Sequence, residues 1–398
     1  MKKIFPILFI LAVAGTAWFL WRPQPEIITL KPAAFKKLPG WDKSNVKKSL
    51  ETFQVSCKTF LRQDPESNAG SELIPLQVKD WQPACRAAIA INPVTRNAAK
   101  KFFQHWFKPI EFYNKQTVKG LFTGYYMPLL HGSLTRTAKY NVPIYGMPRN
   151  LVTVNLSDFN NDYGSKRIIG RMEKGKIRPY YTREEINKGA ISKHAPVLVW
   201  VDNHVDRLFL EIQGSGIIKL TDGKKISVGY AGENGAPYTA IGKVLIDKGV
   251  MTKDTASMQA IKAYLTANPQ ERDPILNQNK SFVFFRMLDN TDALGAQGVP
   301  LTAGYSLAVD RKWIPLGAPL WLDTTHPVPL MANAPQKLQR LMIAQDTGGA
   351  IRGTVRGDVF WGAGQMATLI AGNMKNEGHY WLLVPREAVA KLPRELKR

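Results

Sequence analysis

The chain has 398 residues, 44% of them hydrophobic, which suits two globular cores and excludes a disordered or low-complexity polymer. Its 54 Lys and Arg against 31 Asp and Glu leave a net charge of +23, so an anionic partner is expected. The cations are scattered, as in Lys47-Lys48, Lys100-Lys101, Lys224-Lys225 and Arg352/Arg356, with no basic helix, zinc-finger spacing or aromatic RNA-binding motif. Nucleic acid is therefore not the expected partner, and no metal or cofactor is expected.

After Met1-Lys2-Lys3 the sequence is uncharged from Ile4 to Trp21, close to the length that crosses a bilayer core. Ala12-Val13-Ala14 and Gly15-Thr16-Ala17 offer cleavage sites, but Phe19-Leu20-Trp21 continues the apolar run beyond them. Residues 1–25 thus read as a signal segment or, preferred, an uncleaved anchor, with the lysines cytoplasmic and the remainder exported. Cys57 and Cys85 are the only cysteines. In an exported chain they suggest a disulfide contributing about 3 kcal/mol, two buried thiols being the alternative.

Asp42 and Ser44 suit the cap of a helix whose apolar positions Val46, Leu50, Phe53, Cys57 and Phe60 step by three and four. Pro83 and Pro93 mark further helix starts. Ala98, Phe102 and Trp106 form another core stripe, beside which His105 reads as a packing or surface residue. From Leu121 the texture becomes short and punctuated. Phe122–Tyr126, Val142–Gly146, Val197–Val201 and Leu208–Ile212 read as strands, with a helix at Arg183–Asn187 after a cap at Thr182. Helices return at Pro237–Lys248, Thr255–Thr266 and Pro269–Gln278, and strands from Phe282 onward. This α, β, α, β order suits one domain inserted into another, mainly β with flanking helices.

Three aspartates stand where apolar segments meet turns. Asp346 follows Leu341-Met342-Ile343-Ala344-Gln345 and precedes Thr347-Gly348-Gly349. Asp358 comes twelve positions later, before Val359-Phe360-Trp361, which offers an apolar wall. Asp310 follows Leu307-Ala308-Val309. Each could be an ordinary turn or capping residue, Asp310 paired with Arg311 or another cation. The single Asp-Thr-Gly triplet lacks the matching second segment of an aspartic protease.

The segments VDRKWIPLGAPLWL, IAQDTGGAIRG and RGDVFWGAG resemble the three-aspartate C-terminal domain of the membrane-bound lytic murein transglycosylase A family. Gly124–Leu129, Ile212–Gly216, Tyr230–Gly235 running into Tyr238–Ile246, and Ser281–Phe285 extend the resemblance in order over roughly residues 40 to 390. It implies a double-psi β-barrel built from residues 40–130 and 231–390, a second β-domain inserted at 131–230, and a groove between them. It implies cleavage of peptidoglycan glycan strands between N-acetylmuramic acid and N-acetylglucosamine. The muramic C6 hydroxyl replaces water and leaves a 1,6-anhydro end. Asp358 matches the catalytic aspartate, which serves as acid and then base; Asp346 would tune it or stabilise positive charge, and Asp310 would support. For substrate binding, Tyr125, Tyr126, Tyr230 and Trp361 are candidates to stack on sugars. Gln213-Gly214-Ser215-Gly216 and Thr347-Gly348 offer polar side chains and approachable backbone. A glycoside hydrolase and a non-catalytic wall-binding module are the alternatives. The expected location is the periplasm, with cell-wall machinery as a further partner. Family members are often lipoproteins, whereas this chain has no cysteine near its apolar N-terminal segment.

Overall fold

A computed structural model describes residues 27–163, 166–253, 255–288, 293–327 and 336–397. The apolar segment Ile4–Trp21 lies outside the described residues. Strand β1 (Ile27–Pro32) leads into helices α1 (Lys47–Phe60), α2 (Val78–Ala90) and α3 (Arg96–Trp106). The stripe Leu50, Phe53, Cys57 and Phe60 is buried, and Cys57 is bonded to Cys85, tying α1 to α2. The caps differ from expectation. Val46 holds the cap position of α1, while Ser44 donates its hydroxyl to the Trp41 carbonyl in the preceding turn. Helix α2 begins not at Pro83 but at Val78, where Gln77 and Asp80 form a capping box; the box and buried Trp81, Ala84 and Cys85 carry the helix through the proline. Thr95, not Pro93, caps α3.

Strands β2 (Phe107–Asn114), β3 (Gln116–Thr117) and β4 (Gly120–Met127) open the first sheet. The chain then leaves it for a second unit. That unit contains β5 (Leu129–Ser133), β6 (Val142–Tyr145), β7 (Leu151–Asn155), β8 (Arg167–Glu173), β9 (Lys176–Pro179) and α4 (Arg183–Asn187). It continues through β10 (Val197–Val201), α5 (His204–Gln213), β11 (Ser215–Leu220), β12 (Lys225–Glu233), α6 (Ile241–Asp247), α7 (Met258–Ala267), α8 (Pro269–Leu276) and β13 (Val283–Leu288). The return comprises β14 (Ser306–Val309), β15 (Pro319–Thr325), β16 (Lys337–Thr347), β17 (Arg356–Ala363), α9 (Gln365–Asn373), β18 (Lys375–Pro385) and β19 (Glu395–Lys397).

The returning strands close a six-stranded barrel in the order β15-β16-β14-β17-β4-β18, with β18 pairing back onto β15. The pairs β14–β16 and β17–β4 are parallel, the rest antiparallel. This is the expected double-psi β-barrel, with β4 supplied by the N-terminal part. Its core runs from Leu320, Trp321, Leu341 and Ile343 into the packed faces of α1 to α3.

The second sheet has the order β13-β12-β11-β5-β10-β6, and β7-β8-β9 form a separate small sheet. Two sequence expectations change here. Leu208–Ile212 lies in helix α5, started by Asn203 accepting from the Asp206 amide; a short apolar run fits helix or strand equally well. The second sheet also extends past residue 230. β12 pairs with β13 from Ser227↔Leu288 to Glu233↔Val283, so α6 to α8 form an excursion between two paired strands. The two units meet where β4 runs into β5. There Ile217 packs against Tyr125, Met127, Ala308, Ile351 and Phe360 and donates its amide to the Pro128 carbonyl.

Candidate active site

Four residues form a row across four neighbouring barrel strands. Asp346 on β16 and Asp358 on β17 both register with Ala308 on β14, and Asp358 registers with Thr123 on β4. Residues in register share a face of the sheet. The two acids are thus two strand spacings apart, about 10 Å between backbones, with Ala308 as the position between them on β14. A bulge in β16 creates this arrangement. The register slips between Leu307↔Ala344 and Ala308↔Asp346, leaving Gln345 without a cross-strand partner. Gln345 turns into the interior, accepting from Ser306 Oγ (2.6 Å) and donating to Ser56 Oγ (2.9 Å), and Asp346 takes the site face.

The two carboxyls are held differently. Asp346 accepts three hydrogen bonds: Tyr125 Oη to Oδ2 (2.8 Å), and the Ala296 and Thr347 amides to Oδ1 (both 2.9 Å). Burial pushes its proton affinity up, while these three donors oppose the rise. Burial first and Asp346 second hold the Tyr125 hydroxyl well above its usual range, so it stays a donor. Asp358 accepts from Thr123 Oγ1 at Oδ1 (2.7 Å), and among the described residues no donor reaches Oδ2. Burial raises the Asp358 pKa from 3.8 to about 6; the Thr123 bond and the Arg356 charge pull it down, and the Asp346 charge adds to the rise. A carboxyl of this kind keeps its proton into mildly acidic solution, and among the described residues its second oxygen has no donor that would hinder delivery of that proton.

The apolar wall comes from Phe360, Tyr125, Met127, Ala308 and Ile351. Of the predicted Val359-Phe360-Trp361 only Phe360 shares this face. Val359 enters the barrel core, and Trp361 packs with Tyr126, Ala367 and Ala371, its Nε1 3.4 Å from Met374 Sδ. Tyr126 is likewise buried among these residues, its hydroxyl on Met258 Sδ. Asp310 stands outside the row. It accepts from the Gly353 amide (2.8 Å) and the Lys312 amide (3.1 Å), with Arg352 rather than Arg311 as its nearest cation (3.9 Å). It therefore clasps the segment joining Asp346 to Asp358. Thr347 Oγ1 is committed to the Val309 carbonyl (2.9 Å), and Gly348 opens the turn closed by the Ile351 amide.

Gln213 ends α5 and accepts from the Tyr126 amide (2.9 Å), bringing this motif to β4. Gly214 is the left-handed C-cap of the helix (φ 77°). Ser215 is buried, and a Cβ on Gly216 would lie 2.4 Å from Leu210 Cδ1, so its missing side chain serves packing. Tyr230 is exposed on β12, with Glu233 and Arg167 as its charged neighbours. A cavity of about 430 Å³ nearby is lined by Arg167, Arg178, Glu233 and Gly235 and by none of the three aspartates. Sequence reasoning missed Thr123, Arg356, Ala308 and the Ala296 amide. The pattern Arg356-Gly357-Asp358 hinted at the second, but a backbone amide carries no sequence signal.

Two family models match in order: the MltA specific insert domain over residues 121–286 and the 3D domain over residues 305–384. The membrane-bound lytic murein transglycosylase A of Escherichia coli (strain K12) is 37% identical over 268 residues, 66% of this chain and 65% of that protein, just under two thirds of its length. The crystal structure of MltA from Neisseria gonorrhoeae superposes with a TM-score of 0.76 at 36% identity, covering 93% of this chain and 94% of that one. E. coli MltA with bound chitohexaose gives a TM-score of 0.63 at 28% identity over 85% of this chain and 90% of that chain.

Proposed function

The chain belongs to the membrane-bound lytic murein transglycosylase A family, and from that premise we propose that it cleaves peptidoglycan glycan strands without water. The bond broken is the β-1,4 link between N-acetylmuramic acid and N-acetylglucosamine. The observation that carries the reading is the contrast between a poorly solvated Asp358, whose Oδ2 meets no donor among the described residues, and an Asp346 held by three donors.

Asp358 donates its proton to the glycosidic oxygen as the bond to the anomeric carbon breaks. The Asp346 carboxylate faces the positive charge that develops there. The muramic C6 hydroxyl then attacks the anomeric carbon and yields its proton to the Asp358 carboxylate. This restores the acid and leaves a 1,6-anhydro ring. The attack is intramolecular and so carries its own proximity advantage. One acid that works twice needs no second carboxylate to activate water, as a hydrolase would. The meeting of β4, α5 and β11 beside the acids suits a groove for the strand, where Gln213 and Tyr125 are the best-placed binding residues. E. coli MltA has been crystallised with chitohexaose, a glycan ligand of the kind this groove would hold. The net charge of +23 suits a polymer bearing peptide carboxylates.

Mass analysis of products from purified peptidoglycan tests this reading. Muropeptides ending in 1,6-anhydromuramic acid are expected. Reducing-end products, one water heavier, would make the protein a hydrolase, and no soluble product would make it a binding module. Retention of Ile4–Trp21 as a periplasm-facing anchor predicts membrane fractionation that resists high salt. A soluble chain starting near Trp18 would show cleavage instead.

A further inference from the structure

The contacts behind Asp358 run in one direction. Arg356 Nη2 donates to Thr123 Oγ1 at 2.9 Å, and Thr123 Oγ1 donates to Asp358 Oδ1 at 2.7 Å. A guanidinium has donors only, so the threonine oxygen accepts from it and the hydroxyl proton is left for Asp358. Arg356 cannot swing away freely, because Nη1 also holds the Leu121 (3.2 Å) and Gly357 (2.6 Å) carbonyls.

We propose that Arg356 and Thr123 are positioning residues for the catalytic acid, confining its transferable proton to Oδ2, the oxygen that faces the substrate. An Oδ1 that already receives a proton from Thr123 is a poor place for a second one. The proposal rests on Asp358 being the acid. Among the described residues, the charged and titratable groups facing Asp358 are Arg356 on its own strand, Asp346 on β16 and Tyr125 on β4. Lys375, beside Thr123 on β18, turns its ammonium to the Lys253 carbonyl. Burial and Asp346 raise the proton affinity of Asp358, whereas Thr123 and Arg356 lower it. Removing either positioning residue therefore shifts its titration upward.

Thr123→Val keeps the side-chain shape and deletes the donor; Thr123→Ser keeps the donor. The first measurement needs no turnover: titration of aspartate carboxyl carbons by 13C NMR in the full chain, with the Asp358 signal assigned by its loss in Asp358→Asn. Asp358 is expected to titrate at higher pH in Thr123→Val and near the wild-type pH in Thr123→Ser. The second is the pH–rate profile of muropeptide release. Thr123→Val should lower kcat about three- to tenfold, the worth of one lost hydrogen bond, with little change in KM. Its alkaline limb should move up, and Thr123→Ser should restore both. Arg356→Met should cost little further kcat in the Thr123→Val background, since the chain is already cut. Titration at the wild-type pH in Thr123→Val, failure of rescue by serine, or full additivity overturns the proposal. If the wild type releases no muropeptides, the enzymatic reading fails while the carboxyl titration still judges the chain of bonds.

Discussion

Replacing Asp358 with Asn should stabilise the protein while abolishing its chemistry. Folded, Asp358 keeps its proton up to about pH 6; an ordinary aspartate loses it near 3.8. The stability tied to this group is therefore complete below about pH 4 and is lost as pH rises through about 6. Above that an ionised carboxylate sits in a poorly solvating site at constant cost. The difference of about two pH units corresponds to roughly 3 kcal/mol. Asp358 is only partly buried and Asn still accepts from Thr123, so the realised gain is about 1–2 kcal/mol. At this chain length 1 kcal/mol moves Tm by about 1 °C. Wild type and Asp358→Asn should unfold together near pH 4, with the variant about 1–2 °C higher at pH 8, by thermal circular dichroism. The same variant should lose muropeptide release ~10²–10⁴-fold or more, the worth of a general acid. A variant that unfolds below wild type at pH 8 would refute the reasoning and make Asp358 a structural turn residue.

Wild-type turnover should fall about tenfold per pH unit above roughly pH 6, as the acid loses its proton; a profile flat to pH 8 contradicts that assignment. Asp346→Asn should cost less activity than Asp358→Asn, since its role is electrostatic. If Asp346→Asn is dead and Asp358→Asn keeps a tenth, the two roles are exchanged. Gly216→Ala should destabilise by about 1–3 kcal/mol through contact with Leu210, leaving activity per folded molecule unchanged; a loss of sugar binding without a lower Tm would show that the glycine serves the substrate. Cys57→Ala with Cys85→Ala should cost about 3 kcal/mol of unfolding free energy in denaturant titration, because the bridge joins α1 to α2.

Much of the fold was legible because it rests on local chemistry. The stripe of α1, the Thr182 capping box, and the apolar runs of β14, β15 and β16 are properties of contiguous residues, and the structure places helices and strands there. The two acids at strand ends were visible for the same reason. Where local chemistry is ambiguous, tertiary context decided. Leu208–Ile212 became helix, and α6 to α8 proved to be an excursion between paired strands. The site itself was set by register. Simple alternation along β16 would put Gln345 level with Ala308; a one-residue bulge puts Asp346 there instead. On β17 the pleat selects Phe360 for the site and sends Val359 and Trp361 to the other face. The proton partner of Asp358 lies 235 residues away, on a strand that joins β17 only when the barrel closes. A sequence names the side chains along each strand, but which of them meet across strands depends on register, and register is fixed only when the whole sheet buries its apolar face.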